Sequence, residues 1–250
     1  MGGYLAPTPS SGVALRVASR STSGGSAVVV DQVELERAVA IGEDDFLRVW
    51  QNGPEITRWD SLPVQVGDPA PGFALPDQTG TNVTLDDLVA NGPAMVLFWR
   101  HFGCGCGVDR AARLRDEIAD YEATGASVVI VGQGLPIQAA AYAEEHDLDV
   151  PILTDQDRST YRAYGLLDAL LPQVVFDAPQ WLWSYSEETA QRFIEERRVA
   201  GRRLVNNPWL LPGEFVIDGD GTIKHAHRYQ HCEDFPDPRI LITAATKRAI

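Results

Sequence analysis

Two uninterrupted apolar runs, separated by a helical pattern, constrain the fold of this chain more than any other feature. The runs cover residues 94–99 (AMVLFW) and 127–131 (SVVIV), and such runs are typical of strands buried on both faces. Between them, apolar residues recur at helical spacing over residues 108–121. This β-α-β pattern predicts an α/β protein in which two parallel strands are joined by a right-handed crossover.

Further elements follow in the order expected of a sheet flanked by helices. The patterns predict helices at 137–146 and 158–164, with a short strand at 151–153 between them. Near the end, an Asp-Gly turn at 219–221 separates two apolar segments and predicts an antiparallel hairpin. A short hairpin over residues 66–88 comes before the first buried strand, and an amphipathic helix over 238–249 closes the chain. The predicted sheet is therefore mixed, with parallel and antiparallel strands.

The remaining segments are predicted to be additions to this α/β domain, which spans residues 66–250. Residues 1–30 are rich in Ser, Thr, Gly and Pro and are interpreted as a flexible tail. Residues 31–65 are predicted to form a helical extension of one or two short helices that break at Gly42. Residues 167–211 are interpreted as an insertion that contains a charged helix and three tryptophans: Trp181, Trp183 and Trp209.

Charge and cysteine usage exclude several classes of function. The 250 residues include 21 Lys and Arg against 35 Asp and Glu, a formal net charge of −14, which disfavours nucleic acid and anionic membranes as partners. No apolar run approaches the roughly 20 residues of a membrane-spanning helix. Three cysteines are too few for a secreted disulfide scaffold. We therefore expect a cytoplasmic protein, with a homodimer as one possible assembly. The basic residues of the insertion (Arg197, Arg198, Arg202 and Arg203) are interpreted as the solvated face of a helix.

Two of the cysteines, Cys104 and Cys106, lie among three glycines between the first buried strand and the next helix. Open α/β sheets bind ligands at this edge, and the positive end of the helix dipole favours an anion there. A cysteine in this place is expected to have a lowered pKa and to react as a thiolate. Cys104 is therefore the candidate nucleophile, and the preceding Arg100 and His101 are candidates for stabilising its thiolate.

Several segments together resemble a known family. They are the Phe-Trp end of the first strand, the motif Arg-His-Phe-Gly-Cys, and the segments GDPAPGFALPDQTG, PILTD and LPGEFVIDGDG. The chain resembles the alkyl hydroperoxide reductase and thiol-specific antioxidant (AhpC/TSA) superfamily over residues 66–245, and its peroxiredoxin-like branch most closely. The resemblance implies a thioredoxin-like fold, with a central mixed β-sheet flanked by helices.

The same resemblance implies an activity and site roles. Cys104 is expected to attack a peroxide or a disulfide, with no cofactor and with a thioredoxin-type protein as the thiol reductant. Cys106 is expected to resolve the product, with a thiol elsewhere in the chain, for which Cys232 is available, as the alternative. Pro212 lies where this fold usually keeps a cis-proline beside the active cysteine. The site also departs from the family pattern, because Gly107 replaces the second cysteine of a Cys-x-x-Cys motif and His101 stands where typical peroxiredoxins have threonine.

Two other hypotheses remain open from the residues alone. Cys104, Cys106, Cys232 and His231 together supply the ligand types of a zinc, copper or iron-sulfur site, provided that the last hairpin folds against the cysteine loop. Alternatively, the scaffold is redox-inert and its tryptophan-rich insertion binds an apolar ligand or a partner.

Overall fold

The computed structural model describes residues 30–57 and 62–246, so nearly all of the predicted tail at 1–30 lies outside the described residues. A two-stranded sheet and a five-stranded sheet are present in the described part. The strands are β1 Ala74–Pro76, β2 Asn82–Thr84, β3 Ala94–Phe98, β4 Ser127–Gly132, β5 Ile152–Thr154, β6 Gly213–Ile217 and β7 Ile223–Arg228. The helices are α1 Gln32–Asn52, α2 Leu85–Val89, α3 Gly105–Glu122, α4 Pro136–His146, α5 Ser159–Ala163, α6 Leu171–Val174, α7 Glu187–Val199 and α8 Pro238–Thr246, with a 3₁₀ turn at Gln180–Trp183.

The large sheet is mixed, as the sequence predicts. Its strand order is β5-β4-β3-β6-β7. β3 pairs in parallel with β4, and β4 with β5, while β6 runs antiparallel to both β3 and β7. All five residues of β3 are buried, which explains its continuous apolar sequence. This arrangement of strands and flanking helices confirms the predicted fold.

Each face of the sheet carries its own hydrophobic core. Alternate residues of β3 point to opposite faces: Met95 and Leu97 pack with α3 and α4 on one side, while Val96 and Phe98 pack with α2 and α5 on the other. The junction after β3 is therefore held from both sides. This rigidity positions the loop that carries Cys104.

Within the N-terminal extension, α1 is continuous from Gln32 to Asn52, so the predicted break at Gly42 is wrong. Asp31 caps α1 by accepting a hydrogen bond from the Glu34 N–H at 2.9 Å. The helix continues through Gly42, and the missing side chain lets the carbonyl oxygen of Val205 approach the helix closely there; any Cβ would collide with that oxygen. The glycine thus serves packing between the extension and the insertion.

The extension and the insertion share a third core. Trp50 of α1 stacks on Trp209 with ring centroids 4.6 Å apart, and both are fully buried with residues of α6 and α7. Trp209 is therefore a structural residue, whereas Trp183 is 57% exposed. The domain boundaries inferred from the sequence remain a prediction. In the described segments, no helix has the length and apolar character needed to cross a membrane.

Candidate active site

The cysteine loop is fixed by backbone hydrogen bonds at the start of α3. Cys104 has an extended backbone and takes the N-cap position of the helix, and its carbonyl accepts from the Gly107 N–H at 3.1 Å. Gly103 donates to the Leu204 carbonyl at 2.6 Å. A Cβ at Gly103 would lie 2.7 Å from the Arg202 carbonyl oxygen, so only glycine fits against the insertion.

Cys104 and Cys106 form a disulfide, with Cα atoms 5.3 Å apart. Both are nearly inaccessible, at 4% and 6% exposure. The structure therefore brings together the two cysteines that the sequence selects, and it shows them in the oxidised state. A bond between residues two apart is accommodated because Gly105 separates them at the first turn of α3.

Arg100 contacts the candidate nucleophile directly. Its Nη1 lies 3.0 Å from the Cys104 Sγ, its Nε donates to the Leu210 carbonyl at 3.2 Å, and its Nη2 donates to the Pro208 carbonyl. The guanidinium is 3% exposed. Burial lowers its pKa to about 10, so it stays cationic at neutral pH. A buried cation held on a sulfur atom stabilises that sulfur as a thiolate.

Arg197 supplies a second buried cation to the same loop. Its Nη1 donates to the Gly103 carbonyl at 2.5 Å, and burial, together with the nearby Arg100 and Arg202, lowers its pKa to about 9. The interpretation of this basic run as a solvated face is therefore wrong for Arg197. The spacing of Ala190, Ile194 and Arg197 marks the buried stripe of α7, and this periodicity is the signal that the sequence interpretation missed.

Two further residues of the basic run, Arg198 and Arg203, pair with the N-terminal helix. Arg198 forms a two-pronged ion pair with Glu43, and Arg203 does the same with Glu36. These contacts fasten the insertion to α1. Arg197 takes no part in these ion pairs and contacts the cysteine loop instead.

His101 is buried at 1% exposure, and neither of its ring nitrogens has a hydrogen-bond partner among the described residues. Burial is the main cause that lowers its pKa well below 6.5, and Arg197 and Arg100 act in the same direction. The imidazole is therefore neutral at physiological pH. It therefore does not supply a positive charge to the cysteine loop, as the sequence suggested it could. The positive charge at this loop comes from Arg100 and Arg197.

Cys232 packs against the disulfide. It joins Cys104 and Cys106 in one buried cluster beside Phe235, although more than a hundred residues separate it from them along the chain. Cys232 and Cys106 line the same narrow cavity, together with Pro212. The third cysteine therefore lies next to the pair in the folded chain. Its thiol is free and buried.

The described residues do not assemble the metal site that the sequence left open. No group of three or more His, Cys, Asp or Glu side chains in residues 30–57 and 62–246 is placed to hold a metal ion. The ring of His231 packs edge-on against Phe176 instead of joining the sulfur cluster. His225 and His227 stack on each other at 6.3 Å, and His227 Nε2 lies 2.8 Å from the Asp234 carbonyl oxygen.

A buried ionic network beneath the cysteines was not found from the sequence. Arg110 Nε donates to Glu214 Oε1 at 2.8 Å, and Arg110 Nη1 donates to Glu117 at 2.8 Å. The hydroxyl of Tyr229 donates to the same Glu214 oxygen at 2.5 Å. Because Arg110 and Tyr229 also line the cavity of Cys106 and Cys232, the network forms the wall of the site. Glu214 sits inside an apolar strand pattern, and that anomaly was its only signal.

Pro212 lies beside the cysteine site, as the resemblance implies, and lines the same cavity. Its peptide bond is trans, however, since the described residues contain no cis peptide bond. The expectation of a cis-proline is therefore not met.

The family model for the AhpC/TSA family matches residues 66–226, which is more than half of the chain. The chain belongs to the AhpC/TSA family. Peroxiredoxin Bcp of Escherichia coli is 30% identical over 163 residues, a match that covers 65% of this chain and 85% of Bcp.

Two further relatives come from Mycobacterium tuberculosis. One, named as a candidate peroxiredoxin, is 32% identical over 99 residues; the match spans 40% of this chain and only 62% of that relative. The crystal structure of peroxidoxin BcpB is 22% identical, with a TM-score of 0.54, and the match covers 74% of this chain and 99% of that one. At 22% identity, this structural similarity supports the fold alone.

Proposed function

We propose that this family member is a thiol-dependent peroxidase in which Cys104 is the nucleophile. The observation that carries the proposal is the 3.0 Å contact between Arg100 Nη1 and Cys104 Sγ at the N-terminus of α3. A buried guanidinium and the helix terminus both favour negative charge on this sulfur. The thiolate, not the thiol, reacts with peroxides.

In the first step, the Cys104 thiolate attacks one oxygen of the peroxide and the O–O bond breaks. The leaving oxygen departs with the bonding electron pair and takes up a proton, giving water or an alcohol, while Cys104 becomes a sulfenic acid. Cys106 then attacks this sulfur, forms the observed disulfide and releases water. Two electrons from an external dithiol, such as that of a thioredoxin-type protein, restore both thiols.

The burial of the site favours a small peroxide over a protein disulfide as the oxidant. Cys104 and Cys106 are 4% and 6% exposed, and the adjoining cavity has a volume of only about 10 Å³, which is the space of roughly one water molecule. A protein disulfide must bring its own sulfur into line with the attacking one. Hydrogen peroxide is little larger than water and is therefore the oxidant that this geometry favours, whereas reduction by a protein dithiol needs the disulfide to become more exposed than it is here.

The test compares the reduced wild type with Cys104→Ser. Reduced, metal-free protein is mixed with one equivalent of hydrogen peroxide, and the consumed peroxide and the remaining thiols are counted over time. The wild type is expected to consume the peroxide rapidly and to lose two thiols per chain. If Cys104→Ser consumes peroxide at the wild-type rate, the proposal is refuted. The matched control is Ser127→Ala, a hydroxyl removed from the distant end of β4.

The electron donor and the cellular location are part of the same proposal. We expect a thioredoxin-type reductant and cytoplasmic action, because a buried disulfide that turns over needs a reducing environment. A coupled assay with thioredoxin, thioredoxin reductase and NADPH tests the donor. NADPH oxidation that depends on peroxide and on Cys104 supports thioredoxin as the donor. If no NADPH is oxidised while dithiothreitol still supports peroxide consumption by the same protein, this donor is excluded.

A further inference from the structure

The third cysteine is held at the disulfide by the insertion. The Cys232 N–H donates to the Gln173 carbonyl at 2.9 Å, and its Sγ lies 3.7 Å from the Val174 carbonyl oxygen. Both acceptors belong to α6, so the insertion and the loop after β7 hold Cys232 together. A free thiol held beside a disulfide is the starting arrangement for thiol–disulfide exchange.

The geometry distinguishes the two sulfurs of the existing disulfide. Cys106, not Cys104, lines the cavity that Cys232 also lines. Cys104 instead has its sulfur at 3.0 Å from the Arg100 guanidinium. In exchange, the better leaving group is the sulfur whose thiolate is more stable. An incoming thiolate at Cys106 would therefore release Cys104 toward Arg100.

We propose that Cys232 is a third redox cysteine that takes the disulfide over from Cys104. The Cys232 thiol first gives its proton to solvent or buffer, and its sulfur then attacks the Sγ of Cys106. The Cys106–Cys232 bond forms as the Cys104–Cys106 bond breaks, and Cys104 leaves with the electron pair as a thiolate. No oxidant is consumed, since one disulfide replaces another. The step rests on the proposed function only for the origin of the first disulfide.

The exchange has a consequence for stoichiometry. Because it returns Cys104 to the thiolate, a fully reduced chain consumes a second equivalent of peroxide and ends with a Cys106–Cys232 disulfide and a sulfenic acid at Cys104. A Cys232→Ala chain stops after one equivalent, with Cys104 and Cys106 bonded. The transfer is expected to be base-accelerated, because burial raises the pKa of the Cys232 thiol, Glu233 acts in the same direction, and Arg100 only partly opposes them.

A peroxide-free experiment tests the geometry by itself. Cys104→Ser retains only Cys106 and Cys232, and it is equilibrated in a glutathione redox buffer that fully oxidises the wild-type pair. Peptide mapping after acid quench and alkylation is expected to show a Cys106–Cys232 disulfide and the loss of both thiols. The matched control, Cys104→Ser/Cys232→Ala, is expected to give only a mixed disulfide of Cys106 with glutathione. Two free thiols, or only mixed disulfides, in Cys104→Ser would overturn the proposal.

A second measurement uses the wild type, so that it does not depend on the fold of a variant. The reduced protein is titrated with peroxide, with dimedone present to trap sulfenic acid. Two equivalents consumed, dimedone on Cys104 and a Cys106–Cys232 link support the transfer. One equivalent consumed, with Cys232 alkylated and Cys104 bonded to Cys106, overturns it. A wild type that consumes no peroxide, beside a Cys104→Ser chain that forms its disulfide, refutes the proposed function alone.

Discussion

Replacing Arg100 with glutamine tests how the thiolate of Cys104 is stabilised. Hydrogen bonds to charged groups contribute about 1.5–3 kcal/mol, and one pKa unit corresponds to about 1.4 kcal/mol. Loss of the contact between Arg100 Nη1 and Cys104 Sγ is therefore expected to raise the pKa of the Cys104 thiol by about 1–2 units. On the acid side of both pKa values, this removes about 90–99% of the thiolate.

The assay follows thiolate absorbance against pH in reduced chains whose Cys106 and Cys232 are replaced by serine and alanine. The second-order rate with hydrogen peroxide, measured on the same samples, is expected to shift along the pH axis by the same amount. Arg100→Lys keeps the charge but loses the fork that also donates to Leu210 and Pro208, so its pKa is expected to rise less. Arg192→Gln, which removes an exposed arginine paired with Glu196, is the control. An unchanged pKa in a folded Arg100→Gln chain would refute the reasoning.

Three further predictions concern packing, buried charge and pH. Gly42→Ala is expected to destabilise the chain by about 1–3 kcal/mol in urea unfolding, because its Cβ collides with a carbonyl of the insertion, whereas Gly72→Ala meets open space and is expected to change little; equal effects would contradict this. Glu214→Gln is expected to cost about 1.5–3 kcal/mol, since it removes the charged acceptor that pairs with the buried Arg110, which keeps only Glu117 as its anion; a cost within the error of the fit would contradict this. The pKa of His101 is lowered by burial, so the unfolded chain binds the extra proton and stability falls as pH drops below about 6.5, by up to about 1.4 kcal/mol per pH unit. In His101→Asn, the free energy of unfolding in urea is expected to lose this fall below about pH 6.5. If the pH dependence of that free energy is the same as in the wild type, the role given to His101 is excluded.

The elements that depend on local pattern could be predicted from the sequence. The buried run at 94–99 becomes β3, and the helical stripe at 108–121 lies within α3, because periodicity reports directly which faces are buried. The placement of Cys104 follows from the same pattern. β3 ends at Phe98 and α3 begins at Gly105, so the loop between them ends on Cys104 at the N-cap position of the helix.

Contacts between distant segments could not be predicted in the same way. Glycine usually weakens a helix, yet Gly42 lies inside α1. Its missing side chain makes room for the carbonyl oxygen of Val205, a contact that only the folded chain shows. Arg197 looks solvated beside its neighbouring glutamates, yet it lies on the buried stripe of α7. The meeting of Cys232 with the cysteine pair depends on how the loop after β7 packs on α6, and no local signal encodes this.

The central claim is that peroxide oxidises Cys104, and one measurement tests it most directly. A chain with Cys106→Ser and Cys232→Ala keeps a single thiol, and it is treated in the reduced state with one equivalent of hydrogen peroxide in the presence of dimedone. Mass spectrometry is expected to find the dimedone adduct on Cys104, formed at the same rate as peroxide is consumed. Peroxide consumption without an adduct, or a Cys104 thiol that remains free while wild type is oxidised, would contradict the account.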